Sequence, residues 1–215
     1  MSVPGRPAGV AAFDFDGTLV PGDSLLPYLA AVIGRRRLAV TVARCGPRMV
    51  AAYRGRGRDG AKAILLGAAL GGVPASLAGE QGERFGLRLL RRVRPEMTEA
   101  IAWHRGEGHR LILVSASLSL YLETFGSAAG FATVIATRMG VGGDGHLTGA
   151  IEGANVRGPE KARRLRAALG PEPVELWAYG DSPGDTEMLG MADHRQWVGR
   201  RARRNGQHPP PDPRD

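Results

Sequence analysis

Two aspartates, Asp14 and Asp16, stand one residue apart at the end of an apolar run, in the segment FDFDGTLV (13–20). Strands inside an α/β sheet are normally apolar along their length, and side chains at i and i+2 of a strand point to the same side. The two carboxylates would therefore share one crevice, where their repulsion is costly unless a cation or a shared proton relieves it. The pattern is typical either of a surface turn, in which Asp and Gly serve turn chemistry, or of a metal-assisted active site.

Two later apolar runs also end in polar side chains. Ser115 and Ser117 end the run RLILVSAS (110–117), and Asp181 lies near the end of VELWAYGDS (174–182). Ligands of α/β sheets bind outside the carboxyl ends of the strands. Each polar residue alone has a structural explanation, such as capping a strand end. Three such ends at one edge of a sheet favour an active site.

Apolar runs of strand length alternate with segments of helical periodicity along the chain. The sequence predicts strands at 9–15, 110–117, 131–139, 174–182 and 194–199, and a hairpin at 142–149. It predicts helices at 24–34, 36–54, 60–70, 74–92, 97–108, 119–130 and 158–170, with a further helix beginning in 183–192. Strands that alternate with helices imply an α/β fold with a Rossmann-like, doubly wound parallel sheet.

Charge narrows the class of protein. The net charge is +8, and Lys62 and Lys161 are the only lysines. Nucleic-acid sites combine clustered basic residues with aromatic side chains, whereas here the arginines are spread out and aromatic residues make up 6%. We therefore interpret the charge as a solvated surface and expect no nucleic-acid partner. The clusters Arg35–Arg37 and Arg200–Arg204 are the candidate anion contacts.

Cysteine content and hydropathy bear on the compartment. Cys45 is the only cysteine, which excludes an intramolecular disulfide and favours a reducing environment. The chain starts without a signal-peptide pattern and has no apolar run long enough for a membrane span. We therefore expect a cytoplasmic protein without stable membrane insertion. The proline-rich, charged segment 200–215 is predicted to be a disordered tail, and the sequence gives no prediction of oligomeric state.

Four segments follow one another in a recognisable order, namely DFDGTLV, LVSAS, Lys161 and YGDSPGDTEML. Together they resemble the four sequence motifs of the haloacid dehalogenase superfamily of phosphatases, over about residues 9–199. The helical stretch between the first two motifs is similar to the helical cap of the family's phosphoserine-phosphatase-like branch. The resemblance implies a catalytic core formed by 1–20 and 95–199 and an inserted helical cap at 21–94.

The resemblance also implies a reaction, the hydrolysis of a small phosphomonoester. Asp14 would be the nucleophile and form an aspartyl-phosphate intermediate. Asp16 would protonate the leaving alkoxide and then activate the water that hydrolyses the intermediate. Ser115 and the N–H of Ala116 would bind phosphoryl oxygens, and Lys161 would place a compact positive charge between the nucleophile and the phosphoryl group.

Mg²⁺ is the cofactor that the resemblance implies. Asp14 and Asp181 would supply carboxylates, Asp16 its main-chain carbonyl, and Asp185 would hold the metal directly or through water. Mg²⁺ prefers oxygen ligands. A zinc site is not predicted, because the histidines lack ligand spacing and there is one cysteine. No P-loop motif occurs.

The sequence leaves the substrate open. Phosphoserine phosphatase, a phosphotransferase, a lipid-phosphate phosphatase docking its basic cap on anionic membranes, and a non-catalytic module of this fold are the alternatives. Phosphoserine phosphatases typically carry an asparagine where this chain has Gly184, and a cap glutamate at the position of Asp23. Asp23 and Ser24 suit helix N-caps. We therefore expect poor activity on free phosphoserine.

Overall fold

A computed structural model describes residues 8–199, in which strands and helices alternate. The strands are β1 (Ala8–Phe13), β2 (Arg110–Leu118), β3 (Thr133–Val141), β4 (Leu147–Glu152), β5 (Val174–Gly180) and β6 (His194–Trp197). The helices are α1 (Leu25–Ile33), α2 (Arg35–Leu70), α3 (Ala75–Leu89), α4 (Pro95–Gly106), α5 (Ser119–Ala128), α6 (Pro159–Leu169) and α7 (Thr186–Gly190). Short 3₁₀ turns cover Leu90–Arg92 and Pro183–Asp185. The predicted tail at 200–215 lies outside the described residues.

The six strands form one sheet in the order β4-β3-β2-β1-β5-β6. All neighbours are parallel except β3 and β4, which are antiparallel. The predicted hairpin is therefore confirmed, with its turn between Val141 and Leu147. The predicted α/β fold with a parallel-dominated sheet is also confirmed, and β1 occupies its centre.

Both faces of the sheet are buried, which explains why the strands read as apolar throughout. Ala11 and Phe13 of β1 belong to the larger of two hydrophobic clusters, to which α1 to α5 contribute. Val10 and Ala12 belong to the other cluster, to which α6 and α7 contribute. Neighbouring residues of β1 thus point into opposite hydrophobic clusters. Packing on both faces of the sheet fixes the position of the end of this strand.

Helix α2 differs from the prediction of two separate helices at 36–54 and 60–70. The two helical segments meet directly at Gly57, whose φ of 61° and ψ of −152° are not helical. Glycine adopts such a conformation at little steric cost because it lacks a Cβ. The gap between the two predicted helices is therefore a one-residue break instead of a loop.

Helix α3 packs against α5 through glycines. A Cβ placed on Gly82 would lie 1.9 Å from the carbonyl oxygen of Leu120, and one on Gly86 would lie 2.5 Å from that of Tyr121. The two helix backbones can approach this closely only because neither glycine has a side chain.

Among the described residues, no helix is both long enough and apolar enough to cross a membrane.

Candidate active site

Three carboxylates meet at the carboxyl edge of the sheet. Asp14 follows β1 and Asp181 follows β5, and these strands are parallel neighbours with Phe13 opposite Tyr179. Asp185 enters from the turn that follows β5. One ligand oxygen of each aspartate lies within 4.8 Å of the others. The convergence that the strand ends predicted is thus present in the structure.

Lys161 joins two of these carboxylates. It is the third residue of α6, and its Nζ donates to Asp14 Oδ1 and, at 2.5 Å, to Asp185 Oδ1. All three side chains are buried. Burial disfavours the charged amine, but the pKa of Lys161 is nevertheless raised because Asp14 and Asp185 stabilise the ammonium. The pair of contacts holds one compact positive charge against the predicted nucleophile.

Crowding and burial favour the protonated forms of Asp14 and Asp181 even beside Lys161. Burial raises the pKa of Asp14 to about 7; Lys161 opposes this effect, and the charges of Asp185 and Asp181 add to it. Burial and the charge of Asp185 raise the pKa of Asp181 to about 6. A further cation at this point would relieve the repulsion. Because all the donors are carboxylate oxygens, the set fits a hard cation such as Mg²⁺.

Asp16 is turned toward a different set of partners. Its Oδ2 accepts a hydrogen bond from Ser117, whose hydroxyl lies 3.4 Å from that of Ser24. Its Oδ1 is buried and has no partner. Burial raises the pKa of Asp16, and the hydrogen bonds from Ser117 and Ser24 partly oppose this shift. The carboxylate of Asp16 therefore lies outside the three-aspartate group, and its surroundings favour a carboxyl that takes up and releases a proton.

The short loop between Asp14 and Val20 holds this geometry. Thr18 donates to Asp14 Oδ2 at 3.1 Å, which orients the carboxylate. Gly17 has a φ of 84°, and a Cβ there would lie 2.2 Å from an oxygen of Asp181. Any side chain at this position would displace Asp181. The glycine that follows Asp16 is thus required by the neighbouring strand as well as by the turn.

Asp185 is fixed by the turn that carries it. Its Oδ2 accepts from the backbone N–H of Ser182 at 2.9 Å, and the hydroxyl of Ser182 accepts from the N–H of Gly184 at 3.2 Å. These reciprocal bonds form a capping box at the start of the turn. Asp185 therefore has two roles. Its Oδ2 caps the turn, and its Oδ1 accepts a hydrogen bond from Lys161.

Ser115 and Ala116, the predicted phosphate contacts, lie beside the aspartates and line the same cavity. The hydroxyl of Ser115 accepts a hydrogen bond from the N–H of Ser117 at 3.0 Å, which leaves its own proton for another acceptor. The carbonyl of Ala116 accepts from Lys62 at 2.5 Å. The bend after Val114 is thus held from both sides.

Lys62 is the main site residue that sequence reasoning did not identify. It comes from α2 and donates to Asn155 Oδ1 at 2.6 Å as well as to Ala116. Asn155 in turn donates to Asp59 at 2.8 Å. Burial lowers the pKa of Lys62 to about 8, although Asp59 and Asp16 oppose that shift. The one sequence signal that sets it apart is that Lys62 and Lys161 are the only lysines of an arginine-rich chain.

These residues line a cavity of about 810 Å³ at the strand ends, which we call the strand-end cavity. Its floor carries the aspartates, the serines and Lys161, while one wall is apolar and comes from α1 and α2. The apolar wall consists of Leu25, Leu26, Val42, Met49 and Leu65. The volume lies within the range of small-molecule sites. The cavity thus combines an anion-binding floor with a hydrophobic wall.

Asp23 lies at the rim of the strand-end cavity and caps α1. Its Oδ1 accepts from the N–H groups of Leu25 at 3.0 Å and Leu26 at 3.3 Å. Capping by Asp23 is therefore confirmed. Ser24 makes no capping bond, because its hydroxyl instead lies 2.8 Å from that of Tyr121.

Fold and site together define an α/β protein that gathers acidic side chains and one lysine at the carboxyl edge of a parallel sheet. A family model described as haloacid dehalogenase-like hydrolase matches residues 11–190. The chain belongs to this family.

Several relatives are similar over most of their length. Protein CicA of Caulobacter vibrioides is 35% identical over 190 residues, which are 86% of this chain and 84% of that protein. A phosphoserine phosphatase of Halobacterium salinarum is 30% identical over 187 residues, or 85% and 82% of the two chains.

Solved structures share the fold. A protein of unknown function from Bordetella pertussis Tohama I superposes with a TM-score of 0.74 at 24% identity, covering 94% of this chain and 96% of that one. A phospho-aspartyl intermediate analogue of phosphoserine phosphatase superposes with a TM-score of 0.61 at 20% identity, covering 88% and 86%.

Proposed function

We propose that the protein is a Mg²⁺-dependent phosphatase that hydrolyses a small phosphomonoester through a phosphorylated Asp14. The observation that carries the proposal is the buried contact of Lys161 with both Asp14 and Asp185, beside Asp181. This arrangement places a nucleophile, a fixed cation and a metal-type donor set within one small volume. Membership of the hydrolase family supports the same reaction class.

The first half-reaction transfers the phosphoryl group to Asp14. The Asp14 carboxylate attacks phosphorus, the bond from phosphorus to the ester oxygen breaks, and Asp16 gives its proton to the departing alkoxide. Lys161 and the hydroxyl of Ser115 interact with phosphoryl oxygens, where negative charge is concentrated. The raised pKa of Asp16 suits a group that must hold a proton before this step.

The second half-reaction releases inorganic phosphate. Asp16, now ionised, takes a proton from water, and the water oxygen attacks phosphorus as the bond to Asp14 breaks. Asp14, Asp181 and Asp185 would hold Mg²⁺, with the main-chain carbonyl of Asp16 as a further ligand. When bound, the metal would act as a Lewis acid and as a template for the phosphoryl oxygens.

We further propose that residues 21–94 act as a cap over the strand-end cavity. Lys62 supports this role, since it crosses from α2 to the backbone at Ala116. Closing an active site excludes water and completes the set of contacts to the substrate. The residues 1–20 and 95–199 would then form the catalytic core.

The metal dependence can be tested with a generic aryl phosphate. We expect activity that requires Mg²⁺, is abolished by EDTA and returns when excess Mg²⁺ is added. Calcium serves as the comparison ion, because its longer and more variable ligand distances suit this site less well. Full turnover by a metal-stripped sample would contradict the assignment.

Phosphoserine phosphatase is the second candidate, favoured by the relative from Halobacterium salinarum. The position of Asp23 argues against it, because its carboxylate oxygen already caps α1 and its side chain is one methylene shorter than glutamate. The apolar wall of the strand-end cavity also suits a leaving group with less charge than serine.

Transfer of phosphate to an added alcohol, measured beside hydrolysis, would identify a phosphotransferase.

A further inference from the structure

The stretch from Ser24 to Arg58 contains no acidic residue and eight arginines. These arginines are Arg35, Arg36, Arg37, Arg44, Arg48, Arg54, Arg56 and Arg58. The segment therefore carries a formal charge of +8, equal to that of the whole chain. The remaining residues balance one another. The excess positive charge of the protein thus lies in the first part of α2.

The same segment exposes apolar side chains. Of the eight large hydrophobic residues that are exposed in the described chain, five lie here, namely Leu26, Val40, Val42, Val50 and Tyr53. Val40, Val50 and Tyr53 are 49%, 53% and 56% exposed. Isolated exposed apolar residues are common. Five within one short acid-free segment are a local feature of this molecule.

One face of α2 combines both features. Val40, Ala43, Pro47, Val50 and Ala51 are exposed and follow one another at spacings of three, four, three and one, which places them on one side of a helix. We call this set the outer face of α2. Arg44 and Arg48 adjoin it and are also exposed. Between Arg35 and Asp59, the one buried residue is Cys45, so this part of α2 is covered by little else in the described chain.

We propose that the outer face of α2 docks the protein on an anionic lipid bilayer. Helices that lie in a membrane interface combine exposed apolar side chains with arginine or lysine beside them. Anionic headgroups attract such arginines electrostatically. This role concerns where the protein works and goes beyond the reaction proposed above.

Charge and composition favour a bilayer over other occupants. A second copy would bring two segments of the same high positive charge together, which repel. Single-stranded nucleic acid would need aromatic side chains for base stacking, and Tyr53 is the one aromatic residue between Arg35 and Arg58. In a lipid interface, by contrast, the apolar side chains of the outer face of α2 would be transferred out of water, which favours binding.

The helix that carries the docking surface also lines the strand-end cavity, on its opposite side. Val42 and Met49 of α2 and Leu26 of α1 line the apolar wall of that cavity. Docking through the outer face would therefore hold the cavity one helix diameter, roughly 10 Å, from the headgroup layer.

Vesicle co-sedimentation of the full chain tests the proposal. We expect binding to vesicles of phosphatidylcholine mixed with phosphatidylglycerol, weak binding to phosphatidylcholine alone, and partial release by salt. Arg44→Gln with Arg48→Gln should weaken binding about 25-fold, at about fivefold per arginine. Val40→Ser with Val50→Ser should weaken it about tenfold or more, because apolar groups no longer enter the interface.

Matched controls come from α3 and the turn after it. Leu77→Ser with Leu87→Ser removes exposed apolar side chains, and Arg84→Gln with Arg91→Gln removes the same charge from exposed positions. Both controls should bind vesicles as the parent does. All variants should keep aryl phosphatase activity, so that loss of vesicle binding is separable from failure of the proposed reaction.

Three outcomes would overturn the proposal. The first is equal binding to neutral and anionic vesicles, or none to either. The second is equal loss in the α3 controls, which would indicate unspecific attraction by net charge. The third is evidence for another occupant of the outer face of α2. Such evidence would be a dimer in solution that Val40→Ser with Val50→Ser dissociates, or duplex DNA binding that competes fully with vesicles.

Discussion

At the scale of single residues, two aspartates separated by one residue have different surroundings and therefore different expected roles. Asp14 meets Lys161 and Thr18, whereas Asp16 meets Ser117. Asp14→Asn should abolish turnover of an aryl phosphate, because the attacking carboxylate is lost. Asp16→Asn should slow turnover by roughly a hundredfold to ten-thousandfold, the usual contribution of general acid–base catalysis.

Steady-state kinetics with acid-quench detection of phosphoprotein would measure both effects. Asp16→Asn should accumulate phosphoprotein with an activated substrate, and Asp14→Asn should form none. Asp144→Asn, in the exposed turn between β3 and β4, is the control for the loss of one carboxylate. Near-parental activity in Asp14→Asn would refute the nucleophile assignment.

His104 gives a second prediction at the residue scale. It is fully buried, with Nε2 lying 3.0 Å from the hydroxyl of Tyr179, and burial together with His109 and His194 lowers its pKa to about 3. An unfolded chain binds a proton at this residue near pH 6.5. Between these values the unfolded state holds more protons, so stability falls as the pH decreases. By pH 5 the loss from this group is about 2 kcal/mol.

Urea unfolding at pH 7.5 and pH 5 measures that loss. His104→Gln should remove about 2 kcal/mol of the difference between the two pH values, whatever it does to stability at pH 7.5. An unaltered pH dependence in His104→Gln would show that other groups cause the acid sensitivity.

At the scale of elements, the contact between α3 and α5 depends on missing side chains. Gly82→Ala would push a Cβ against the backbone of Leu120, which cannot rotate away. We expect a loss of about 1–3 kcal/mol in the free energy of unfolding, as for overpacked cores. Gly79→Ala on the same helix has no atom within 4 Å of the added Cβ. It should stabilise the protein by roughly 0.5–1 kcal/mol, because alanine favours helix.

Thermal and urea denaturation of the two variants provide the measurement. Their opposite signs make the comparison informative, since a general effect of Gly→Ala on the unfolded chain would move both in one direction. If Gly82→Ala were as stable as Gly79→Ala, the close approach of α3 and α5 would not exist in solution.

The sequence predicted those elements whose signals are local. Apolar runs ending at Asp14, Ser115 and Asp181 located three strands, because burial on both faces leaves a continuous hydrophobic pattern. Lys62 could not be found in this way. Its bond to Asn155 joins residues 93 positions apart, and neither neighbourhood carries a pattern that indicates the other. Tertiary packing alone creates such a pair.

The same distinction explains the smaller errors. The sequence predicts two helices, at 36–54 and 60–70, with a gap between them, but the helical turns continue on both sides of the break at Gly57. Ser24 suits an N-cap by residue type, yet Tyr121 of α5 provides a buried partner for its hydroxyl. Local preference was overridden where a distant element offered a better contact.

At the scale of the whole molecule, α1 and α2 complete the strand-end cavity over the edge of the sheet, and we expect their side chains to govern substrate choice. The rim holds a capping Asp23, and the wall is apolar. A site lacking one charge-assisted contact to a zwitterion loses about 1.5–3 kcal/mol, or roughly ten- to a hundredfold. We therefore expect kcat/KM for phosphoserine to be lower by that factor than for the best polyol, sugar or glycerolipid phosphate in a panel.

Asp23→Glu is the informative variant for this comparison. The longer side chain should restore part of the activity on phosphoserine if the missing methylene is the cause. Phosphoserine as the best substrate of the parent protein would instead return the assignment to the phosphoserine phosphatases.

The central position of β1 has a consequence for biosynthesis. This strand is made first, but one of its two neighbours, β5, begins only at Val174, about 160 residues later. At translation rates of about 5–20 residues per second, the edge of β1 that pairs with β5 stays unpaired for roughly 8–30 seconds. An apolar strand with an open edge invites pairing with other chains. A ribosome that stalls before Val174 would therefore release a product prone to aggregate, with Asp14 made but Asp181 and Asp185 still missing.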